Sequence, residues 1–332
     1  MLRKERNYIV DIARAICIVL VVFYHYIPTN APTWHLLIND ILLSIRMPLF
    51  LFISGYIYMY YNKKKSDYWA FVGTKFKRLI IPYFVISTII ISIKLLTQSG
   101  GNVDAPVSLF SYVEMFYKPS AAFFLWFIWA LFVIFLVVPF FKTRNSRVML
   151  FVVSLIISFL PVQVPEVFCL KQLKFYSMYF MAGVIWCDFR DMFAKFYKIP
   201  GWIVLLLFVM LQSVYQNVEE RVIADILFKL ILPAFGVAIV FYLSNWLNNS
   251  STIKAALVKF STKTYVIYMF HTIFMGFTKV IVRKVPFFVN PENVVGYTLG
   301  IILVVSAGVV CPVFLYGFIK KYKTTRFLFG IK

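Results

Sequence analysis

The stretch Asp11–His25, DIARAICIVLVVFYH, decides how this chain is read. It is an apolar run, yet it carries an acid, a base and an imidazole. Buried in hydrocarbon, such groups are costly and are usually functional. Arg14 and His25 are eleven residues apart. At about 100° and 1.5 Å per residue they share one helix face, roughly 16–17 Å apart along the axis. Asp11 stands three residues before Arg14, within reach of it on the same side. One helix would then present an acid–base pair near one end and a single imidazole near the other.

Working outward, the same apolar character runs through the chain. Of its 332 residues 62% are hydrophobic and 20% aromatic, and the mean hydropathy is +0.84. A soluble domain does not look like this. The net charge of +21 suggests a nucleic-acid partner only until its distribution is seen. The cations sit in short clusters between apolar runs and not on a separable basic domain, so nucleic-acid binding is excluded. The first apolar run is not a cleaved signal peptide, because Asp11 and Arg14 interrupt it and no small-x-small site follows. Cys17, Cys169, Cys187 and Cys311 lie in or beside apolar runs without C-x-x-C spacing, and read as packing residues, not metal ligands or disulfides. No metal site is expected.

The fold class expected is all-α: a polytopic integral membrane protein of about ten transmembrane helices, both termini cytoplasmic. The spans fall at residues 8–27, 38–61, 79–96, 122–141, 148–163, 175–189, 199–215, 222–243, 264–282 and 294–318. Lys and Arg set the orientation. One side holds Arg3, Lys4 and Arg6; Lys63, Lys64, Lys65, Lys75, Lys77 and Arg78; Lys142, Arg144 and Arg147; Arg190, Lys195 and Lys198; Lys254, Lys259 and Lys263; and Lys320, Lys321, Lys323, Arg326 and Lys332. The opposite loops hold only Lys118, Lys171, Lys174, Arg221, Arg283 and Lys284. The richer side is cytoplasmic. Connections are short, the longest being 97–121 with its SGGNVDAP string, and no internal repeat is evident. Residues 1–332 read as a single membrane domain.

Among the three histidines, His35 beside Trp34 reads as an interfacial surface residue in the first outer loop. His25 shares its stripe with Asp11 and Arg14, and a neutral imidazole there could take a proton from a hydroxyl near pH 7. His271 closes the string TYVIYMFH, in which Tyr265, Tyr268 and His271 are spaced by three. From spacing alone, this stripe is as compatible with an interhelical hydrogen-bond ladder as with catalysis. Arg46, in SIRMPLFLFISGYIY, is deep enough to need a partner or water. Pro48 loosens its helix, and Ser54–Gly55 admits another backbone. Lys75, Lys77 and Arg78 run into the third span through KFKRLIIPYF, either as flanking cations or as a phosphate clamp. Asp225 and Lys229, four apart, form a neutralised pair within the eighth span. P-loop, zinc and G-x-S-x-G patterns are absent.

Together these strings resemble the acyltransferase-3 family of polytopic bacterial membrane proteins, which includes polysaccharide O-acetyltransferases. The Arg-x10-His signature is matched by Arg14 and His25, and the acid before it by Asp11. The Pro-Leu-Phe-Phe-x-x-Ser-Gly stretch is similar to Pro48–Gly55, and the Arg-Leu-x-x-Pro element to Arg78–Pro82. Leu125-Trp126-Phe127 matches a middle-helix element, and Tyr265 to His271 match the late Tyr-x-Ile-Tyr-x-x-His string. The chain departs in having Ala15 where the family often has Gly, and Arg46 where one branch has His before Met-Pro.

The resemblance implies a membrane O-acyltransferase that moves an acyl group, commonly acetyl, from cytoplasmic acyl-CoA (acetyl-CoA) to a hydroxyl of a glycan or lipid-linked sugar. The acceptor would belong to a cell-envelope or exported polysaccharide, and the site would be the inner (plasma) membrane. By the same resemblance His25 is catalytic, Arg14 helps hold the donor and Arg78 contacts its phosphates; beside these, Asp11 is expected with His25 at the catalytic site, Lys77 with the donor, and Arg46, His271, Tyr268 and Trp126 as substrate-facing or structural polar groups. Acyl-CoA is a donor substrate and no resident cofactor is implied. Two other readings stay open: a glycan transporter or flippase using Pro82, Pro139, Pro161, Pro233 and Pro312 to break helices, and an assembly scaffold indifferent to His25.

Overall fold

The computed structural model describes residues 6–61, 67–100, 105–190 and 199–331. Of the cations used for orientation, Arg3, Lys4, Lys63, Lys64, Lys65, Lys195, Lys198 and Lys332 lie outside the described residues. Within them the chain is helical and contains no strand. Six helices are long and apolar enough to cross a membrane: α2 (Thr33–Tyr61), α3 (Tyr68–Thr97), α5 (Phe123–Phe140), α9 (Arg221–Asn248), α11 (Thr264–Arg283) and α13 (Val294–Lys321). Between them lie α1 (Tyr8–Tyr24), α4 (Ser111–Glu114), α6 (Arg144–Phe159), α7 (Leu170–Asp188), α8 (Gly201–Asn217), α10 (Ser251–Ser261) and α12 (Pro286–Val289), with α14 (Lys323–Leu328) last.

Ten spans were expected, and the four outside this set have physical reasons. Helices α1 and α8 have 17 residues each and α6 has 16. At 1.5 Å per residue they reach about 24–26 Å, short of a ~30 Å hydrocarbon core. Helix α7 has 19 residues but includes Lys171, Lys174 and Asp188. Several of these helices still present apolar side chains outward, as Leu205, Leu206, Val209 and Met210 do on α8. That surface suits lipid better than water.

The residues form two compact units. The first comprises the described residues within Met1–Lys63, Val148–Leu155 and Met178–Tyr265; the second comprises those within Lys64–Arg147, Ile156–Ser177 and Val266–Lys332.

In the first unit α1 packs on α2, α9 and α10. Val10, Ala13 and Cys17 of α1 join Ile45, Leu49, Phe52 and Tyr56 of α2 and Leu232, Val240 and Phe241 of α9 in one apolar core. Cys17 is thus a packing residue, as expected. Helices α2 and α7 cross with backbone touching backbone. A Cβ on Gly55 would collide with the Phe180 carbonyl, and one on Gly183 with the Phe52 carbonyl. Small residues permit this approach, which in hydrocarbon replaces the missing hydrophobic drive between helices.

In the second unit Tyr83 of α3 donates its hydroxyl to Met115 O at 2.8 Å, and its ring meets Trp129 of α5 edge-on. Helix α3 starts at Tyr68, eleven residues before the expected 79, because Asp67 caps it by accepting the Ala70 N–H at 3.0 Å. The helix widens to a π turn at Phe76–Ile80. The same happens in α9 of the first unit at Leu227–Ile231. Each π turn precedes a proline, Pro82 or Pro233. Proline offers no N–H to the carbonyl four residues back, so the helix must shift its hydrogen bonds or leave that carbonyl to another donor.

Candidate functional site

The candidate residues divide between the two units. Asp11, Arg14, His25 and Arg46 belong to the first, and Lys77, Arg78, Trp126, Tyr268 and His271 to the second.

Helix α1 is started by Asn7, whose side chain accepts the Val10 N–H. Asp11 lies in the first turn, where a carboxylate is favoured by the helix dipole. It pairs with Arg6 and, at 3.5 Å, with Arg14. The other Arg14 terminal nitrogen donates to Ser261 O at 3.2 Å and to Thr264 Oγ1 at 3.1 Å. Ser261 is the last residue of α10. Arg14 therefore sits on the carbonyl end of another helix, where a cation is stabilised. The expected acid–base pair exists, and its observed contacts tie α1 to the turn between α10 and α11.

His25 lies just beyond α1 as its C-cap, with backbone φ −75° and ψ 6°, and donates its N–H to Val22 O. Its ring is half-buried and meets the Tyr24 ring at 5.5 Å between centroids. Arg46 is 4% exposed, and its guanidinium carbon stands 3.1 Å from the Tyr24 ring centroid. Its backbone carbonyl accepts from Cys17 Sγ at 3.4 Å. One partner of the kind the sequence required for Arg46 is thus an aromatic face next to the imidazole. Tyr24 was not singled out beforehand, although a Tyr directly before the candidate histidine was the available signal.

His35 is not an interfacial surface residue. Helix α2 begins at Thr33, right after Pro32, so His35 falls in its first turn and is 0% exposed. Its ring packs edge-on against Phe23 of α1 at 5.5 Å and stacks on Trp34.

In the second unit, Tyr268 donates its hydroxyl to Phe124 O, linking α11 to the first turn of α5. His271 is fully buried. Its Nδ1 faces two carbonyls of its own helix, Tyr268 O at 2.7 Å and Ile267 O at 3.1 Å. Two acceptors fix Nδ1 as the donor, so in the neutral ring Nε2 is the basic nitrogen. Trp126 is 8% exposed and stacks on Tyr176 at 4.9 Å. Lys77 and Arg78 are exposed on the π turn of α3. Lys75 is turned the other way, its Nζ 3.9 Å from the Phe135 ring centroid.

A local repeat escaped the sequence reading. Arg78-Leu-Ile-Ile-Pro82 and Lys229-Leu-Ile-Leu-Pro233 each hold a cation in the π turn, four residues before the proline. In the second copy Lys229 Nζ pairs with Asp225 at 2.8 Å, as expected, and Tyr179 donates its hydroxyl to Lys229 O at 2.7 Å.

A family model described as an acyltransferase domain matches residues 7–317. No curated protein and no solved structure matches the chain.

Proposed function

The chain belongs to the acyltransferase-3 family and is a membrane acyltransferase; we propose that it moves an acetyl group from cytoplasmic acetyl-CoA to a sugar hydroxyl of a cell-envelope or exported polysaccharide, or of its lipid-linked precursor. The enzyme acts as one domain over residues 1–332 of the inner (plasma) membrane. It spans the bilayer about ten times, with short helices such as α1 and α8 completing the set and both termini cytoplasmic.

The observation that carries the reading is the cluster at the end of α1 in which Arg46 lies over the Tyr24 ring and His25 meets that ring edge-on, within a family match that covers nearly the whole chain. His25 takes the proton of the acceptor hydroxyl as that oxygen attacks the thioester carbonyl. The protonated ring then returns the proton to the leaving CoA thiolate. Arg46, one ring away, supplies fixed positive charge for the oxygen that becomes negative in between. Asp11 acts through Arg14, holding it at the other end of the helix on the donor's path. Lys77 and Arg78 meet the donor phosphates. In the second unit, His271, Tyr268 and Trp126 serve as substrate-facing or structural polar groups.

The test is the O-acetyl content of the host's surface polysaccharide in cells carrying the wild type, His25→Ala or no gene, with membrane levels of the two proteins matched. Wild type should restore acetyl groups and His25→Ala should equal the deletion. Equal acetylation in all three would reject this acceptor.

A second reading, transport of a glycan without covalent chemistry, is favoured by one observation. Two long apolar helices, α3 and α9, are interrupted by a π turn and proline at corresponding positions, as in transporters built from repeats. Purified protein that turns over acetyl-CoA excludes it.

A further inference from the structure

Helix α9 carries a stripe whose character changes along its length. Leu230, Ala234, Ala238 and Tyr242 recur every four residues and line a cavity of about 310 Å³ within the first unit. Helices α2, α6 and α7 supply its other walls, which are almost wholly apolar. The two alanines hollow it, since their side chains stop at Cβ. From residue 230 to 242 the stripe runs about 18 Å at 1.5 Å per residue, close to half of a ~30 Å hydrocarbon core.

One turn further on, the same face becomes polar. Tyr242 also borders a second hollow, of about 390 Å³, together with Gly201, Asn245, Trp246 and Asn249. Gly201, at the start of α8, lies against Tyr242: a Cβ on it would stand 3.3 Å from the ring. The start of α8 and the end of α9 therefore share one level. Each bears an exposed tryptophan there, Trp202 and Trp246. Tryptophans at one level mark the headgroup boundary of a bilayer. Beyond it, residues 245–263 include Lys254, Lys259 and Lys263 and no acid.

An apolar wall offers nothing to water or to a sugar. At bilayer depth, what surrounds such a cavity is lipid. A length of one leaflet, an apolar interior, a polar mouth at headgroup level and a basic helix after it describe an anionic amphiphile. We propose that this stripe of α9 is a binding site for an anionic phospholipid, with one acyl chain along residues 230–242 and the headgroup beside Asn245 and Asn249. A polyisoprenoid carrier is anionic as well, but its chain is longer than one leaflet. The proposal does not depend on the acyl-transfer reading.

Full-length protein is reconstituted in phosphatidylcholine vesicles with a trace of phosphatidylglycerol that carries a photoreactive diazirine in one acyl chain, and the cross-linked peptides are mapped. Labelling should concentrate on residues 178–186 and 230–242, saturate, and be displaced by unlabelled phosphatidylglycerol. Ala238→Phe fills the cavity and should cut this labelling about tenfold, a loss that excluding about two methylenes already produces. Outward residues 205–210 of α8 should label as before. Asn249→Asp, at an exposed position, sets a like charge at the headgroup. It should weaken labelling by the phosphatidylglycerol probe more than by a matching phosphatidylcholine probe. Wild-type labelling spread evenly over the lipid-facing helices overturns the proposal, since that is ordinary solvation. So does displacement by polyprenyl phosphate but not by phosphatidylglycerol, which would assign the cavity to an isoprenoid chain. Should Ala238→Phe fail to fold, the wild-type map decides by itself.

Discussion

The guanidinium carbon of Arg46 stands 3.1 Å from the centroid of the Tyr24 ring, and the neighbouring His25 ring meets that same ring at 5.5 Å. A planar cation on an aromatic face in a dry setting is worth up to about 2 kcal/mol. Lysine at position 46 keeps the charge but not the delocalised guanidinium over the ring. Arg46→Lys is therefore expected to lower acyl transfer at least about tenfold while leaving the protein folded. Tyr24→Phe retains the ring and should stay within about threefold of wild type, whereas Tyr24→Leu should behave like Arg46→Lys. Acetyl-CoA turnover at matched protein levels checks all three. Equal activity in Tyr24→Leu and wild type would separate the stack from catalysis.

The crossing of α2 and α7 makes a stability prediction with an internal control. Gly55 and Gly183 each face opposing backbone with no room for a Cβ, while Gly276 on α11 has nothing within 4 Å. Backbone cannot swing aside like a flexible side chain. Gly55→Ala or Gly183→Ala should cost about 3 kcal/mol or more, seen as a large fall in melting temperature in detergent or as loss of folded protein. Gly276→Ala should be neutral or stabilise by up to about 1 kcal/mol, since alanine is the better helix former.

Much of this was legible in the residues, and the exceptions have physical causes. The apolar run around Asp11–His25 predicts a helix at 8–27, and α1 ends at Tyr24 with His25 as its cap. Asp225 and Lys229 read as a pair because a helix puts residues four apart on one face. The expected start of α3 at 79 falls late because KFKR reads as a cytoplasmic flank, whereas Asp67 starts the helix before it. His35 reads as an outer-loop residue because a polar residue after a proline resembles a loop. Pro32 instead precedes the start of a helix whose first turn lies on Phe23. The contact of Gly330 with Arg78 joins positions 252 apart in number, and no local pattern announces it.

The segment before α5 carries a pH-sensitive contact. Glu114 accepts a hydrogen bond from Ser120 Oγ at 2.7 Å and pairs with Lys118 at 3.1 Å. The Ser120 bond, and then Lys118, hold its carboxyl below the ordinary glutamate range. A depressed folded-state pKa adds stability above the unfolded value of 4.5, and this is lost as pH falls through the folded one. In intact protein, residues 111–120 should keep their resistance to protease on acidification to a lower pH than in Ser120→Ala. Coincident profiles would show that the contact does not hold the segment.

The hydrogen bond from Tyr179 to Lys229 O tests why α9 widens where it does. Pro233 has no N–H for that carbonyl, and the Tyr179 hydroxyl supplies the donor from α7 at 2.7 Å. In a non-aqueous interior an abandoned carbonyl costs about 1–3 kcal/mol, so Tyr179→Phe should destabilise by that order. Pro233→Ala restores an N–H four residues on and gives the carbonyl a helical partner. The same Tyr179→Phe change made in the Pro233→Ala background should then cost less, by about 1 kcal/mol. Melting temperatures of the four proteins close the cycle. Additive effects would mean that the hydroxyl does not replace the missing proline donor, and that the π turn alone accommodates Pro233.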